Sequence, residues 1–188
     1  MVSRAALFPL LFLAGGACGA AEVAGVKVPE TAQVEARQLV LNGAGLRTRF
    51  FFKVYVIGLY LPEKTRDAAA VLARPGPKRI ALHMLRDVGA ESFSQALVDG
   101  LQANHTATEY RALEPRVKQL EAIMAQVGEA KKGMNIALDW TGGATRVSVG
   151  ASAVGEPIPG EDFYRALLRI WLGENAVQDD VKSALLGN

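Results

Sequence analysis

Cysteine and histidine are scarce in this chain, with one Cys and two His among 188 residues. Cys18 lies in the N-terminal segment, and cleavage after it would leave neither a disulfide nor a thiol nucleophile. His83 and His105 have no second His, Cys or carboxylate at metal-ligand spacing. We therefore expect no metal and no cofactor. With 50% hydrophobic residues, the chain can instead form one domain around a substantial core.

A block of charge of one sign is also missing. The 21 basic and 19 acidic residues are spread along the chain and leave a net charge of +2, so no basic arm for nucleic acid is present. The glycine-rich segments GAG and TGG form neither a phosphate loop nor a G-x-G-x-x-G fingerprint, and no G-x-S-x-G elbow occurs. Nucleic-acid binding, nucleotide binding and serine hydrolase chemistry are therefore not expected.

The N-terminus has the order of a secretory signal: a positive charge at Arg4, an apolar run over residues 5–14 and small residues over 18–21. The run is too short to span a bilayer stably. We predict a signal peptide over residues 1–21, a mature domain over 22–188 without a membrane span, and export to a bacterial periplasm. Lipoprotein anchoring through Cys18 is the less favoured alternative, since Gly15 stands where such signals usually have Leu.

Strand signals dominate the first half of the mature chain. Short strands are predicted in VAGVKVPET and ARQLVLNGAGLR, with Gly43 and Gly45 permitting a tight turn or bulge. A long strand is expected from Thr48 to Leu61, which Pro62 ends. Helical structure is expected around Ala68 to Ala73, and KRIALHML is expected to form another strand.

Helical periodicity begins at Ala90 and predicts a helix to His105. Thr106 and Glu109 have the spacing of a capping box for the next helix. Pro115 is expected to break or begin that helix, and a place in its first turn is favoured. A hairpin of MNIALDW and ATRVSVGA, a helix over 161–172 and a short final helix follow. The segregation of strands from helices predicts an α+β fold, with an antiparallel sheet covered on one side by helices.

The most informative segment is LNGAGLRTRFFFKVYVIGLYLP, residues 41–62, because it places basic residues in an apolar run. Counting by twos, Arg47, Arg49 and Tyr55 fall on one face of the predicted long strand. A guanidinium and a phenol on a partly apolar face can bind an anion. The alternative is an exposed face with snorkelling basic side chains.

This segment resembles the chalcone isomerase-like family, in its bacterial branch. A G-x-G-x-R turn before a strand ending in IG-x-YL is typical of that family, and here GAGLR and VIGLYL stand in those places. KKG at 131–133 and IPGEDFYRALLRIWLGE at 158–174 are similar to further family segments in the same order. The resemblance covers essentially the whole mature chain and implies an open-faced β-sandwich with a ligand cleft between sheet and helices.

The resemblance also implies a site. In chalcone isomerases proper, an arginine after the glycine turn holds the substrate phenolate; Arg47 matches it best and Arg49 is a competing candidate. The other catalytic positions of those enzymes, which carry hydroxyl and amide groups, correspond to Tyr55, Phe93, Gly100 and Ile170. Loss of most of these polar groups leaves one strong anion anchor in a more apolar cleft. Fatty-acid-binding members of the wider family are similar in holding a carboxylate with an arginine and a tyrosine.

The favoured interpretation is a monomeric periplasmic protein that binds a fatty acid or similar amphipathic anion. The predicted ligand contacts are Arg47, Tyr55, Arg49, Phe93, Gly100, Ile170 and Trp171. The first alternative is an isomerase of the intramolecular lyase type with Arg47 as its catalytic residue, since an arginine can stabilise a phenolate electrostatically. The second is a non-catalytic partner protein of the cell envelope whose cleft is vestigial.

Overall fold

A computed structural model describes residues 20–188 of the chain. The strands are β1 (Ala20–Val23), β2 (Val26–Pro29), β3 (Thr31–Val34), β4 (Arg37–Arg49), β5 (Phe52–Leu61), β6 (Lys78–Met84), β7 (Asn135–Trp140), β8 (Ala144–Val149) and β9 (Ser152–Pro159). The helices are α1 (Ala68–Ala73), α2 (Ala90–Ala103), α3 (Ala107–Val127), α4 (Glu161–Leu172) and α5 (Asp179–Leu185). The predicted signal peptide lies outside the described residues, except for its last two positions; it and the predicted export stay predictions.

Strands β3 to β9 form one curled sheet in which every strand pairs antiparallel with its neighbour in the chain. The helices cover one face of this sheet, and each contributes to the main core: Val71, Phe93, Leu113, Phe163 and Val181 come from α1 to α5 in turn. The hairpin β1–β2 packs on the opposite face, where Val28 joins Val56 and Tyr60 in a second, smaller cluster. The predicted α+β architecture is thus confirmed.

The predicted continuous strand from Thr48 to Leu61 is wrong. The chain reverses at Phe50 and Phe51, so that β4 and β5 form a hairpin in which Arg49 pairs with Phe52. The turn contains none of the Gly, Pro, Asn or Asp residues that normally indicate one. A run of three phenylalanines therefore gives the pattern of an uninterrupted strand. As a result, Arg47 and Tyr55 lie on different strands.

Gly43 and Gly45 do not form a turn either; they lie inside β4, where the predicted bulge is present as a register shift between Leu41 and Gly43. A Cβ atom on Gly43 would lie 2.1 Å from the carbonyl oxygen of Ala184, and one on Gly45 would lie 3.1 Å from the Ala184 Cβ. The two glycines therefore let α5 rest directly on the backbone of β4. Asn42 fixes the end of that helix by donating from Nδ2 to the Leu185 carbonyl at 2.6 Å.

Helix α3 starts where the capping box predicts, since the Thr106 hydroxyl accepts from the Glu109 amide and the Glu109 carboxylate accepts from the Thr106 amide. The placement of Pro115 in the first turn is wrong, because that residue lies inside the helix. Pro115 removes the amide that would bond the Arg111 carbonyl. Both residues are exposed, so water can satisfy the released carbonyl.

Candidate functional site

Arg47 and Tyr55 face each other across the β4–β5 hairpin as direct cross-strand partners. Both side chains lie on the helix side of the sheet, where Tyr55 joins the main core and is 8% exposed. Trp171, on the buried face of α4, donates from Nε1 to the Tyr55 hydroxyl oxygen at 3.0 Å. The hairpin and α4 thus bring an arginine, a phenol and an indole together at one edge of the core.

Three hydrogen-bond donors converge on one oxygen beside this group. Gln178 Oε1 accepts from Arg47 Nη1 at 3.2 Å, from the Thr48 amide at 3.0 Å and from Thr48 Oγ1 at 3.4 Å. Gln178 directly precedes α5, and its own amide nitrogen donates to the Leu46 carbonyl at 3.4 Å. A neutral amide oxygen therefore occupies a position that would suit an oxygen of an anion.

The charge of Arg47 is not neutralised by an acid in the described part of the chain. No carboxylate lies within 4.0 Å of its guanidinium, whose acceptors are the Thr48 carbonyl and Gln178 Oε1. Both acceptors are uncharged, and the arginine is only partly exposed. A partly buried guanidinium with neutral partners has electrostatic capacity left for an anion.

Tyr55 is a neutral donor in this arrangement. Burial raises the pKa of its phenol above the usual value, while the hydrogen bond from Trp171 and the nearby Arg47 charge act in the opposite direction. The hydroxyl oxygen already accepts from Trp171, so the hydroxyl proton points away from the indole. Tyr55 can therefore donate to an acidic ligand group held by Arg47.

We expect Tyr55→Phe to lower the free energy of unfolding by about 1–2 kcal/mol, because the buried Trp171 Nε1–H loses its acceptor. Urea unfolding followed by circular dichroism measures this change. Tyr110→Phe removes a hydroxyl from a half-buried tyrosine of α3 and serves as the control, with a change within about 0.5 kcal/mol. Equal stability of both variants and the wild type would show that the bond contributes nothing.

The remaining predicted ligand contacts are placed differently. Gly100 on α2 and Ile170 on α4 form a tight helix–helix contact, in which a Cβ on Gly100 would lie 2.8 Å from Ile170 Cγ2. Phe93 is buried on α2. Arg49 is exposed at the hairpin end, with its guanidinium carbon 5.9 Å from the Phe50 ring centroid. It does not share a cross-strand pair with Tyr55.

Arg47 and Thr48 with their shared acceptor Gln178 form a donor cluster, and sequence reasoning missed Thr48 and Gln178. Strict alternation along a strand would point Thr48 away from Arg47, but a register shift between the two residues lets both donate to Gln178 Oε1. Gln178 is separated from Thr48 by 130 residues. A single glutamine before a short helix carries no local signal, so only the packing of α5 on β4 reveals it.

A cavity of about 610 Å³ lies on the other face of the sheet, under the β1–β2 hairpin. Its floor is formed by Gly58, Ala81 and Ala137, which are in register on β5, β6 and β7. Because these three side chains are small, the sheet has a depression at this position. Val26 and Val28 of the β1–β2 hairpin also line the cavity. The volume is within the range of small-molecule sites.

Several polar groups of this cavity have partners, whereas Lys27, an exposed lysine that also lines it, forms no ion pair among the described residues. Arg79 forms a two-pronged ion pair with Asp139, with both bonds at 2.6 Å, and the Tyr60 hydroxyl donates to the Pro29 carbonyl at 3.0 Å. His83 Nδ1 lies 2.8 Å from Asn135 Oδ1. The open volume and the un-neutralised guanidinium of Arg47 therefore lie on opposite faces of the sheet. Arg47 is the better candidate anchor for an anion, because it is partly buried whereas Lys27 is exposed.

Over residues 20–188, no helix combines the length and apolar character needed to cross a membrane. The same residues contain no group of three or more His, Cys, Asp or Glu side chains arranged to hold a metal ion.

Residues 20–187 match the family described as chalcone isomerase-like, and the chain belongs to that family. Among solved structures, the chain is similar to a fatty-acid binding protein of Arabidopsis thaliana, with a TM-score of 0.67 and 13% sequence identity. The likeness covers 86% of this chain and 92% of the plant protein, and at this identity it establishes the shared fold. No curated protein matches the sequence.

Proposed function

We propose that this protein binds a fatty acid or a similar amphipathic anion, and that Arg47, Thr48 and Tyr55 hold its carboxylate. The observation that carries the proposal is the convergence of three donors on Gln178 Oε1, next to a guanidinium with no acidic partner. Membership of the chalcone isomerase-like family and the similarity to a fatty-acid binding protein support it.

In the proposed binding step, a ligand carboxylate replaces Gln178 Oε1 as the acceptor of the three hydrogen bonds. A carboxylate oxygen forms charge-assisted hydrogen bonds that are shorter and stronger than those of an amide oxygen. The Gln178 side chain is held from its nitrogen by one bond of 3.4 Å to the Leu46 carbonyl. It can therefore leave by a side-chain rotation, after which Arg47 and Thr48 donate to the ligand and Tyr55 donates from its free hydroxyl proton.

The hydrocarbon tail is proposed to enter the apolar layer between the sheet and the helices. Tyr55, Trp171 and Val181 are buried in that layer beside the donor cluster. Side chains fill this layer, so binding requires α4 or α5 to move away from β4 and β5. A substantial minority of proteins rearrange loops or domains on binding.

We expect binding without turnover because of the residues at the positions that match the catalytic residues of chalcone isomerases. Ring closure of a chalcone requires polar groups around the reacting atoms, and the helix positions that would supply them are Phe93, Gly100 and Ile170. None of these side chains carries a hydroxyl or an amide, and Gly100 and Ile170 pack against each other. We therefore propose a carrier or buffer of the ligand.

The Gln178→Ala variant is expected to bind dodecanoate about tenfold more tightly than the wild type, because removal of the internal acceptor frees the three donors. Isothermal titration calorimetry on delipidated protein measures the affinity. The Gln178 side chain does not cap α5, so the helix start should persist. Gln126→Ala, on the exposed side of α3, is the control and should bind like the wild type. Unchanged or weaker binding by Gln178→Ala would rule out the exchange of acceptors.

A further inference from the structure

The tip of the β4–β5 hairpin exposes three consecutive phenylalanines to water. Phe50, Phe51 and Phe52 are 85%, 99% and 57% exposed, and they are the large hydrophobic residues exposed in the described part of the chain. Scattered apolar residues on a surface need no explanation, but a contiguous aromatic group at a projecting tip marks an interaction surface.

The backbone conformation of the turn does not favour phenylalanine. Phe50 adopts a φ of 55°, a left-handed conformation that Gly and Asn adopt readily and that a bulky aromatic residue adopts only with strain. Asn-Gly is the common choice for a two-residue hairpin loop. Phenylalanine at this position therefore points to a contact outside the fold.

Basic side chains surround the aromatic tip. Arg86 stacks over Phe52, with its guanidinium carbon 4.5 Å from the ring centroid, and Lys53 is exposed next to it. The loop after β6 and the loop before β7 lie at the same end of the sheet, because the Leu85 amide donates to the Val54 carbonyl and the Lys132 amide donates to Asp87.

The loops at this end carry more basic than acidic residues. Segments 47–53, 85–89 and 128–134 contain the basic residues Arg47, Arg49, Lys53, Arg86, Lys131 and Lys132 and the acidic residues Asp87 and Glu129. Glu91 in the first turn of α2, and Asp179 and Asp180 at the start of α5 next to Gln178, limit the basic surface on the helix side. Aromatic residues flanked by Lys and Arg are the composition of surfaces that rest in the headgroup region of anionic bilayers.

We propose that this end of the sheet docks on an anionic lipid bilayer, with Phe50 and Phe51 in the boundary between headgroups and acyl chains and the basic side chains at the lipid phosphates. The contact is peripheral, and it does not depend on the proposed ligand binding. It would place Arg47, three residues from Phe50, close to the membrane surface, where an amphipathic ligand enters or leaves.

Vesicle flotation tests the docking. The wild type is expected to float with vesicles of phosphatidylcholine mixed with phosphatidylglycerol, to bind vesicles of phosphatidylcholine alone less, and to dissociate as salt increases. A double variant with Phe50→Asn and Phe51→Gly should bind the mixed vesicles at least about tenfold more weakly. Its melting temperature should equal or exceed that of the wild type, because the new turn sequence suits the hairpin.

Two single substitutions test the contribution of the basic side chains to vesicle binding. Lys53→Gln and Arg86→Gln should each weaken binding to the mixed vesicles by about fivefold and leave binding to neutral vesicles unchanged. Equal flotation of the wild type and the Phe50/Phe51 double variant would overturn the proposal. So would a wild type that does not float and instead forms a concentration-dependent dimer that the double variant lacks. Dodecanoate affinity without vesicles should be the same in the double variant, which separates this proposal from the ligand site.

Discussion

Arg47→Gln is expected to bind dodecanoate roughly thirtyfold to a hundredfold more weakly than the wild type, because the carboxylate loses its only cationic partner. Glutamine keeps a hydrogen-bond donor but not the charge, and a hydrogen bond between charged groups contributes about 2 to 3 kcal/mol. Isothermal titration calorimetry on delipidated protein gives the ratio. Folding should be little affected, since the present acceptors of Arg47 are neutral and partly exposed.

Two control variants separate the proposed site from its competitors. Arg49→Gln makes the same change of charge two residues away, at an exposed position, and should bind like the wild type. Ala137→Leu fills the cavity on the outer face of the sheet and should also leave the affinity unchanged. If Ala137→Leu abolishes binding while Arg47→Gln preserves it, the outer cavity is the ligand site and our assignment is wrong.

Gly43→Ala is expected to lower the free energy of unfolding by about 3 kcal/mol, because no space for a methyl group exists between β4 and α5. The added carbon would lie 2.1 Å from the Ala184 carbonyl oxygen and 2.7 Å from that of Leu185. Both atoms belong to the backbone, so the whole helix has to move, and overpacking of this kind is typically destabilising by 1 to about 3 kcal/mol. Urea unfolding measures the loss, and limited proteolysis should cleave first near α5.

Gly143→Ala is the matched control for this substitution. It lies in the β7–β8 turn with no atom within 4 Å of the added carbon and without the positive φ that disfavours alanine. Its stability should be within about 0.5 kcal/mol of the wild type. Equal stability of Gly43→Ala and Gly143→Ala would mean that α5 does not rest on β4.

Much of the fold is encoded in local patterns and could be predicted. The Thr106–Glu109 capping box defines the start of α3, and Phe163, Leu167 and Trp171 recur at helical spacing on the buried side of α4. Thr141 to Gly143 connect β7 and β8 as the turn composition predicts. In these segments, the hydrophobic periodicity and the residues at the ends of the elements predict the same structure, and tertiary packing is consistent with it.

The candidate site could be predicted only in part, because its geometry arises from tertiary contacts. Alternation predicts Arg47 and Tyr55 on one face of one strand. They do lie side by side, but as cross-strand partners in a hairpin whose turn contains no typical turn residue. Gln178 reaches Thr48 because α5 packs on two glycines whose role appears only in three dimensions. Strands β3 and β9 went unpredicted because both lie at the edges of the sheet, where alternation is weak.

Arg47 is proposed to recognise the charge of an amphipathic ligand. Titration of dodecanoate and of dodecanol, which has the same chain without the charge, into the wild type and into Arg47→Gln measures this recognition. We predict that the wild type prefers the carboxylate by roughly thirtyfold or more and that the preference disappears in the variant. Equal affinity of the wild type for both compounds, or a preference that persists in Arg47→Gln, would show that Arg47 does not recognise the charge.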